Sequence, residues 1–389
     1  MSKKLPDKDF NPAFPSTEDL RSGAARRMPK FAFEYLIGGA NEEVNLKKNT
    51  DDIHKVELEP EYLGAHTSSD ISTTLFGQTY DAPFGVAPIG LQGLMWPNSP
   101  EILAKAAMKH NVPFILSTVS TSSIERIGEL TEGKFWFQLY HPAEDKLRDD
   151  VLKRAAEAGC QVLVALADTP SFGIRYKDVR NGLAMPPSMS LRNILQIMSR
   201  PKWALQTLKY GQPNFATLLP YMPKNLNLKQ LGQFMNQTFD GRLNEEKLTI
   251  LRDKWKGKLV IKGIVNEKDA EKALKLGADG FIVSNHGGRQ LDAGQSTIVP
   301  MTNLAKKYSD KMTVMIDSGI RSGPDIARCL ASGAHFTFLG RAFMYGVGAL
   351  GNTGGSHVMA MLKMQLTQIM EQLGCEKVED LGQHLIKNS

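Results

Sequence analysis

Short apolar runs alternate with longer amphipathic stretches from residue 83 onward. Eight of these runs carry almost no charge and are rich in β-branched, aromatic and aliphatic residues, which is typical of strands buried on both faces of a parallel sheet. They cover residues 84–88, 112–117, 135–140, 162–166, 259–262, 280–284, 314–317 and 336–340. Helical patterns lie between them, for example at residues 101–110, 144–159, 266–277 and 323–333.

Eight strands alternating with helices predict an α/β fold, a closed (β/α)8 TIM barrel. The strand starts recur regularly except for a gap of about 95 residues between the fourth and the fifth. Because the alternation resumes in step afterwards, we interpret the gap as a long insertion after strand 4 and not as a second domain. The chain, 1–389, is then one domain made of a helical N-terminal extension (1–80, with a helical pattern over 17–38), the barrel (81–168 and 245–350), the insertion (169–244) and C-terminal helices (351–389).

Composition narrows the class of protein. The chain has 389 residues, of which 42% are hydrophobic and 23% charged, the proportions of an ordinary soluble globular protein. No apolar run approaches the roughly 18 residues of a membrane span, and the polar N-terminus lacks a secretory signal. Three cysteines are too few and too scattered for a disulfide framework or a zinc cage, so we expect a cytoplasmic protein without a metal site.

Charge is unevenly distributed along the chain. The net charge is +6, yet no acidic residue occurs between Asp178 and Asp240. That segment contains seven cations, Arg180, Arg192, Arg200, Lys202, Lys209, Lys224 and Lys229. It also contains six aromatic residues, Trp203, Tyr210, Phe215, Tyr221, Phe234 and Phe239.

Basic residues interleaved with aromatic ones favour an anionic bilayer surface, at roughly 1 kcal/mol per basic residue near that surface. Residues 179–239 are therefore expected to contact the inner face of the plasma membrane peripherally. A soluble lid over the barrel is the alternative. Nucleic acid has no support, because no known binding fold accompanies the charge.

Polar or glycine residues follow every predicted strand at its C-terminal end. In this fold the loops at those ends build the site. These residues are Gly90, which follows Pro88 and Ile89, and Ser117, Thr118, Gln138, Tyr140, Asp168, Lys262, Ser284, His286, Asp317, Gly340 and Arg341. Each has a structural interpretation of its own, such as a helix N-cap for an aspartate, but the collective pattern predicts a functional site.

The most specific stretch is SNHGGRQLD at residues 284–292. A histidine such as His286 exchanges protons near neutral pH, and Arg289 can bind a carboxylate through two parallel hydrogen bonds. Asp168 at the end of the fourth strand can orient the histidine and stabilise its protonated form. Arg175 is either a second carboxylate ligand or a surface charge.

Glycine-rich turns containing arginine follow the seventh and eighth strands, at 317–323 and 340–341. Such turns commonly bind phosphate in this fold. No G-x-x-x-x-G-K-[ST] or G-x-G-x-x-G motif occurs, so ATP and NAD have no support. Lys262 can either form a Schiff base or place a positive charge against an electron-rich cofactor, and the neighbouring phosphate site favours the second.

These motifs resemble the FMN-dependent L-2-hydroxy acid dehydrogenase and oxidase family, particularly its bacterial L-lactate dehydrogenase branch. The resemblance extends over about residues 15–385. Besides SNHGGRQLD it rests on PKFAFEY at 29–35, GGA at 38–40, WFQLY at 136–140, VIKG at 260–263 and DSGIR at 317–321.

The resemblance implies a role for each matching residue. For the substrate, it implies His286 as the base, Asp168 as its partner, Arg289, Arg175 and Tyr35 at the carboxylate, and Tyr140 at the hydroxyl or carboxylate. For FMN, it implies Pro88, Ile89, Gly90, Ser117, Gln138 and Ser284 at the ring and ribityl chain, Lys262 near N1 and C2=O, and Asp317, Gly319, Arg321, Gly340 and Arg341 at the ribityl end and phosphate. One departure is Leu166, which stands where most members have a threonine that contacts the flavin.

The resemblance implies oxidation of an L-2-hydroxy acid, most simply L-lactate, to the 2-keto acid by a homotetramer. Electrons would pass to a membrane quinone or another acceptor. An oxidase that passes electrons to O2 and releases peroxide is one alternative, and a membrane-docking barrel without activity is another. Other phosphate-binding barrels are a third, although an IMP dehydrogenase-like enzyme needs a loop cysteine, which Cys160, Cys329 and Cys375 do not provide.

Overall fold

A computed structural model describes residues 7–184, 188, 190–223, 228–239 and 242–386. The strands are β1 (Thr73–Leu75), β2 (Gln78–Tyr80), β3 (Phe84–Val86), β4 (Ile115–Ser117), β5 (Trp136–Leu139), β6 (Val162–Leu166), β7 (Lys258–Ile264), β8 (Gly280–Val283), β9 (Thr313–Ile316) and β10 (Phe336–Leu339). Strands β3 to β10 form one parallel sheet in the order β3-β10-β9-β8-β7-β6-β5-β4. A parallel bridge between Val86 and Phe114 joins its two edges, so the predicted eight-stranded barrel is confirmed.

Helices surround the barrel. Those described are α1 (Thr17–Arg27), α2 (Lys30–Ile37), α3 (Val44–His54), α4 (Gln92–Met95), α5 (Ser99–Lys109), α6 (Ile124–Leu130), α7 (Asp145–Glu157), α8 (Tyr176–Arg180), α9 (Leu191–Met198), α10 (Pro201–Tyr210), α11 (Leu228–Thr238), α12 (Glu245–Lys254), α13 (Glu267–Lys275), α14 (Ile298–Tyr308), α15 (Gly323–Ala331), α16 (Arg341–Leu350) and α17 (Gly354–Leu373). Short 3-10 helices cover Leu219–Tyr221, Gly351–Thr353 and Val378–His384.

The single helical pattern predicted over residues 17–38 is two helices. Helix α1 ends before Met28, whose φ of −88° and ψ of 147° are extended. Helix α2 begins directly after Pro29. Proline disfavours the helical conformation in the residue before it and cannot donate a backbone hydrogen bond, so the chain turns here.

The N-terminal end of the barrel is filled by aromatic side chains. Trp136 and Phe338 meet inside the barrel with their ring centroids 5.4 Å apart. The antiparallel hairpin β1–β2 covers this end, placing Phe76 against Trp136 at 5.7 Å and Tyr80 against Phe336 at 6.1 Å. Open space for a ligand therefore lies at the opposite end, where the strands terminate.

Helix α1 packs very closely on α16, the helix that follows the last barrel strand. A Cβ atom at Gly23 would lie 2.9 Å from Cβ of Ala349, and one at Gly348 would lie 2.9 Å from Cβ of Ala24. These two glycines allow the helices to touch through their backbones. The N-terminal extension thereby fixes the helix that begins at Arg341.

The insertion folds over the C-terminal end of the barrel. Phe215, Leu218 and Met235 form a small hydrophobic cluster of their own. Trp203 is buried, stands edge-on to Phe31 at 5.9 Å and donates its indole N–H to a main-chain carbonyl at 3.0 Å. Two of the aromatic residues that the sequence pattern placed at a membrane, Trp203 and Phe215, thus lie inside the protein, whereas Tyr210 is exposed.

The outward face of the insertion is aliphatic instead. Along α9, Leu191, Ile194, Leu195 and Met198 are 81%, 45%, 65% and 70% exposed. Their spacing puts them on one face of the helix. Lys224 lies outside the described residues, as does the side chain of Lys229. Among the described helices, none has the length and apolarity to cross a bilayer.

Candidate active site

A cavity of about 450 Å³ lies at the C-terminal ends of the barrel strands. Predicted site residues that line it are Tyr35, Pro88, Ile89, Gly90, Ser117, Gln138, Tyr140, Arg175, Lys262, His286, Arg289, Asp317, Gly319, Arg321, Gly340 and Arg341. The remaining two, Asp168 and Ser284, lie behind the wall and hydrogen-bond to residues that line it. The fold therefore brings the predicted residues together around one space.

His286 and Asp168 form a hydrogen-bonded pair, with 2.9 Å between Nδ1 and Oδ1. His286 follows β8 in the left-handed region, at φ 58°, and its N–H donates to the Ser284 hydroxyl. A non-glycine residue held there costs roughly 1–3 kcal/mol, and such strain is concentrated at active sites. Because Nδ1 is engaged, Nε2 is the ring nitrogen available to the cavity.

Asp168 is held ionised in the interior. Burial alone raises the pKa of this carboxyl group, but the charges of His286 and Lys262 and the hydrogen bonds from His286 and Ser284 outweigh burial, and the pKa lies below its ordinary value. An ionised carboxylate on Nδ1 fixes the ring and stabilises it when protonated. This is the arrangement of a general base with its orienting acid.

Lys262 lies at the centre of a buried polar cluster. Its Nζ donates to the Ser284 hydroxyl at 2.6 Å and pairs with the Asp317 carboxylate at 2.9 Å. Burial lowers the pKa of the amine, but Asp317 and Asp168 more than compensate and raise it above its ordinary value. A Schiff base requires a neutral amine, so this environment favours the role of a fixed positive charge.

Two arginines flank Tyr35 near His286. Arg289 donates to the carbonyl oxygens of Tyr35 and Gly38 at 2.8 and 3.0 Å, and its guanidinium lies 4.9 Å from the Tyr35 ring centroid. Arg175 lies 5.6 Å from the same centroid. Burial, reinforced by Arg175, lowers the pKa of Arg289 to about 10, which leaves it charged at neutral pH. No carboxylate in the described part of the chain pairs with Arg289, so the place suits an anionic ligand.

A second pair of arginines, Arg321 and Arg341, lines the cavity where β9 and β10 end. Arg341 donates to the carbonyl oxygens of Leu36, Gly287 and Gly38 at 3.0, 3.0 and 2.8 Å. Burial, reinforced by neighbouring Arg321, lowers the pKa of Arg341 to about 9. Within the described residues neither arginine has a carboxylate at ion-pair distance, and bringing a phosphate between them would satisfy both.

Gln138 has an amide group with unfilled hydrogen-bonding capacity. Its Oε1 accepts from the Ser117 hydroxyl at 2.9 Å, whereas the buried Nε2 has no acceptor among the described residues. Leaving a buried donor unpaired costs about 1–3 kcal/mol, so an acceptor on a ligand is expected here. Nearby, burial raises the pKa of Tyr140 far above its usual value, so its hydroxyl remains a donor.

Several cavity residues were not found from the sequence. Asp178 lines the cavity and pairs with Arg175 at 2.9 Å, and their spacing of three residues on a helical turn is the signal that was available. Gln290 accepts from Gly173 N–H at 3.2 Å and donates to Ser171 O at 2.8 Å, which ties the start of the insertion to the segment after β8. Apolar residues of the insertion complete the wall, and no sequence pattern identifies them.

The family model described as FMN-dependent dehydrogenase matches residues 24–388. The chain belongs to this family. Its members depend on FMN, and the chain is an FMN-dependent 2-hydroxy acid oxidoreductase. The match decides against the other phosphate-binding barrels considered above.

Curated relatives are named L-lactate dehydrogenase. The protein from Acinetobacter baylyi is 36% identical over 369 residues, which cover 95% of this chain and 96% of the relative. The one from Vibrio parahaemolyticus is 36% identical over 368 residues, covering 94% and 97%.

Solved structures of mandelate-oxidising enzymes share the fold. An (S)-mandelate dehydrogenase described as a monotopic membrane protein has a TM-score of 0.90 and 34% identity, covering 97% of this chain and all of that one. A mandelate oxidase has a TM-score of 0.82 and 28% identity, covering 96% and 98%. Both a dehydrogenase and an oxidase are thus similar to this member of the FMN-dependent dehydrogenase family.

The cavity fits the cofactor of the family. Arg321 and Arg341, which have no carboxylate partner in the described part of the chain, suit a phosphate, and the Gln138 amide, whose Nε2 finds no acceptor there, suits a polar ring edge. Lys262 supplies a buried positive charge in the wall of the same cavity. Leu166, the departure noted in the sequence, lines the cavity at the end of β6 and has no group that can hydrogen-bond to a ligand.

Proposed function

We propose that the chain oxidises an L-2-hydroxy acid, with L-lactate the leading candidate, to the corresponding 2-keto acid and passes the electrons to a quinone. The observation that carries this proposal is the His286–Asp168 pair beside Arg289 and Arg175 in the cavity that also contains Lys262. FMN, when bound, accepts two electrons from the substrate. The names of the curated relatives support lactate.

The side chains of this site divide the work on the substrate. Arg289 and Arg175, with Tyr35, bind the carboxylate, and Tyr140 donates a hydrogen bond to the hydroxyl or carboxylate side. His286 Nε2 removes the substrate proton, and the Asp168 carboxylate stabilises the resulting imidazolium. General acid–base catalysis of this kind contributes typically 10²–10⁴-fold to the rate.

The remaining cavity residues would hold FMN. Lys262 would place its charge beside the ring, supported from behind by Ser284. Loop residues Pro88, Ile89 and Gly90, together with Ser117 and Gln138, would line the ring and ribityl chain. The phosphate end would be held by Asp317, Gly319, Arg321, Gly340 and Arg341.

A lipid-soluble quinone is the proposed acceptor because the cavity opens among apolar side chains. Phe172, Ile174 and Val179 line the cavity and are also 47%, 62% and 54% exposed. The insertion thus exposes these three side chains and the aliphatic face of α9 as apolar surface, and it also exposes cations such as Arg192 and Lys202. We propose that this surface contacts an anionic bilayer peripherally, at the cytoplasmic face, and that the enzyme is a tetramer.

Anaerobic mixing with a panel of L-2-hydroxy acids tests the activity. The yellow protein should bleach with L-lactate or a close analogue and regain colour with a soluble quinone. A protein that remains colourless after incubation with FMN, or that no hydroxy acid bleaches, would refute the proposal. Stoichiometric peroxide during aerobic turnover would favour the oxidase alternative.

Vesicle flotation tests the membrane contact. Leu195→Asp should reduce binding to vesicles containing anionic phospholipid, because it places a charge on the apolar face of α9. Leu63→Asp is the matched control, since Leu63 is fully exposed in a loop outside the insertion. Equal binding by the wild type and Leu195→Asp would favour a soluble lid.

A further inference from the structure

Asp178 is a buried carboxylate in the cavity for which the proposed chemistry assigns no role. It lies on α8 at the start of the insertion and is 4% exposed. Its Oδ2 lies 2.9 Å from Nε of Arg175, and the two side chains form an ion pair. Oδ1 is buried and has no hydrogen-bond partner among the described residues.

Keeping an aspartate at this position is unfavourable for folding. Burial raises the pKa of Asp178, although the charges of Arg175 and Arg289 oppose it. A buried carboxylate with one oxygen unpaired is destabilising relative to a neutral residue of the same shape. Residues that reduce stability are often retained for function, so a role in the site is the natural explanation.

The pair with Asp178 fixes how Arg175 presents its guanidinium group. The group is planar, with Nε on one edge and two terminal nitrogens that suit a carboxylate. The Asp178 carboxylate pairs with the Nε side of the group, and the central guanidinium carbon lies 5.6 Å from the centroid of the Tyr35 ring. With the Nε side paired to Asp178, the terminal nitrogens remain for a ligand in the cavity that Arg175 lines.

Asp178 also offsets the repulsion between two neighbouring cations. Arg175 lowers the pKa of Arg289, and Asp178 acts in the opposite direction on the same group. Without a carboxylate here, Arg175 would gain by turning away from Arg289 toward solvent. With it, both guanidinium groups are kept in the cavity before a ligand arrives.

We propose that Asp178 is a positioning residue that orients Arg175 to bind the substrate carboxylate. This rests on the proposed function, in which the cavity binds a 2-hydroxy acid. Asp178 does not touch the reacting atoms and acts through Arg175.

Substrate kinetics and anion binding test this role in the FMN-loaded protein. Asp178→Ala should raise KM for L-lactate about tenfold or more, the scale of losing a hydrogen bond to a charged group, with a smaller fall in kcat. Asp178→Asn, which keeps an oxygen beside Nε but removes the negative charge, should give an intermediate KM. Oxalate titrated against the flavin absorbance, without turnover, should show the same order of Kd values. Glu42→Gln, which removes an exposed carboxylate outside the cavity, is the control.

A double-mutant cycle separates positioning from a general structural role. In an Arg175→Met background, Asp178→Ala should cause little further change in KM or oxalate Kd, because the residue through which it acts is absent. Asp178→Asn should also unfold in urea at the same concentration as the wild type or a higher one. Lower stability together with additive losses would mean that Asp178 is structural.

The outcomes that overturn this inference differ from those that overturn the proposed function. Unchanged KM and oxalate Kd in Asp178→Ala, or full additivity with Arg175→Met, would refute the positioning role while wild-type turnover stood. Failure of every hydroxy acid to bleach the wild type would refute the function, and oxalate binding would still report on Arg175.

Discussion

Gly263→Ala should break the hydrogen bond between Asp168 and His286 although neither of these two residues is substituted. Gly263 lies in β7 directly after Lys262, at φ +104°, and a Cβ atom there would lie 2.5 Å from Cβ and 2.7 Å from the backbone N of Asp168. Ordinary contact requires at least about 3.4 Å. Asp168 would therefore have to move by roughly 1 Å, enough to break its 2.9 Å hydrogen bond to His286.

The magnitudes follow from that displacement. Forcing alanine into the left-handed region costs about 1–2 kcal/mol, and overpacking a filled site costs about 1–3 kcal/mol more. A misplacement of 1 Å in a catalytic site can reduce the rate about 100-fold. We therefore expect the free energy of unfolding to fall by roughly 2–5 kcal/mol and the rate of anaerobic flavin bleaching to fall about 100-fold.

Gly77→Ala separates the two effects. Gly77 has φ +79° in the β1–β2 hairpin, and a Cβ atom there would meet nothing within 4 Å. This variant should therefore share the backbone cost of Gly263→Ala but bleach at the wild-type rate. Stopped-flow absorbance and urea unfolding measure both quantities. If Gly263→Ala bleached as fast as Gly77→Ala, the coupling of Asp168 to His286 would not matter for the rate.

Three further predictions concern the ends of the cavity and the pair itself. His286→Gln should remain yellow yet lose hydroxy acid bleaching by at least about 100-fold, and bleaching at the wild-type rate would remove the assigned base. Because the pKa of Asp168 is held below its ordinary value of 3.8, its ionised form stabilises the fold at neutral pH, and this contribution should disappear as the pH falls through the lowered pKa. Urea unfolding between pH 6 and about 3 should therefore show a shallower loss of stability in Asp168→Asn than in the wild type. Arg341→Met should weaken FMN binding at least about tenfold, with colour restored by excess FMN, and unchanged affinity in a fluorescence titration would place the phosphate elsewhere.

The barrel was predictable because its strands are buried on both faces. A short uncharged run such as residues 162–166 can pair its backbone N–H and C=O groups in the interior as a strand of a sheet. Strand β6 covers the same residues. Pro29 itself indicates the boundary between α1 and α2, because proline acts through local sterics alone. The helical pattern over 17–38 continues across Pro29 and does not indicate this boundary. The grouping of the predicted site residues around one cavity followed from their position after strands whose order the fold fixes.

Properties that depend on partners distant in the chain were not predictable. The choice between a Schiff base and a fixed charge for Lys262 depends on Asp317 and Ser284, which come from other strands. The aromatic residues of the insertion have a composition suited to a membrane, but whether Trp203 faces out or in depends on the groove beside Phe31. Asp178 could not be predicted because the role we propose for it depends on its ion pair with Arg175.

The hairpin β1–β2 has a consequence for kinetics. Phe76 and Tyr80 of this hairpin close the N-terminal end of the barrel. The hydroxy acid and the electron acceptor are therefore both expected to enter at the opposite end, beneath the insertion. Because the hydroxy acid and the electron acceptor use the same opening, we expect the keto acid to leave before the acceptor binds. Double-reciprocal plots of initial velocity against hydroxy acid concentration, measured at several acceptor concentrations, should therefore give parallel lines, which indicate a substituted-enzyme mechanism.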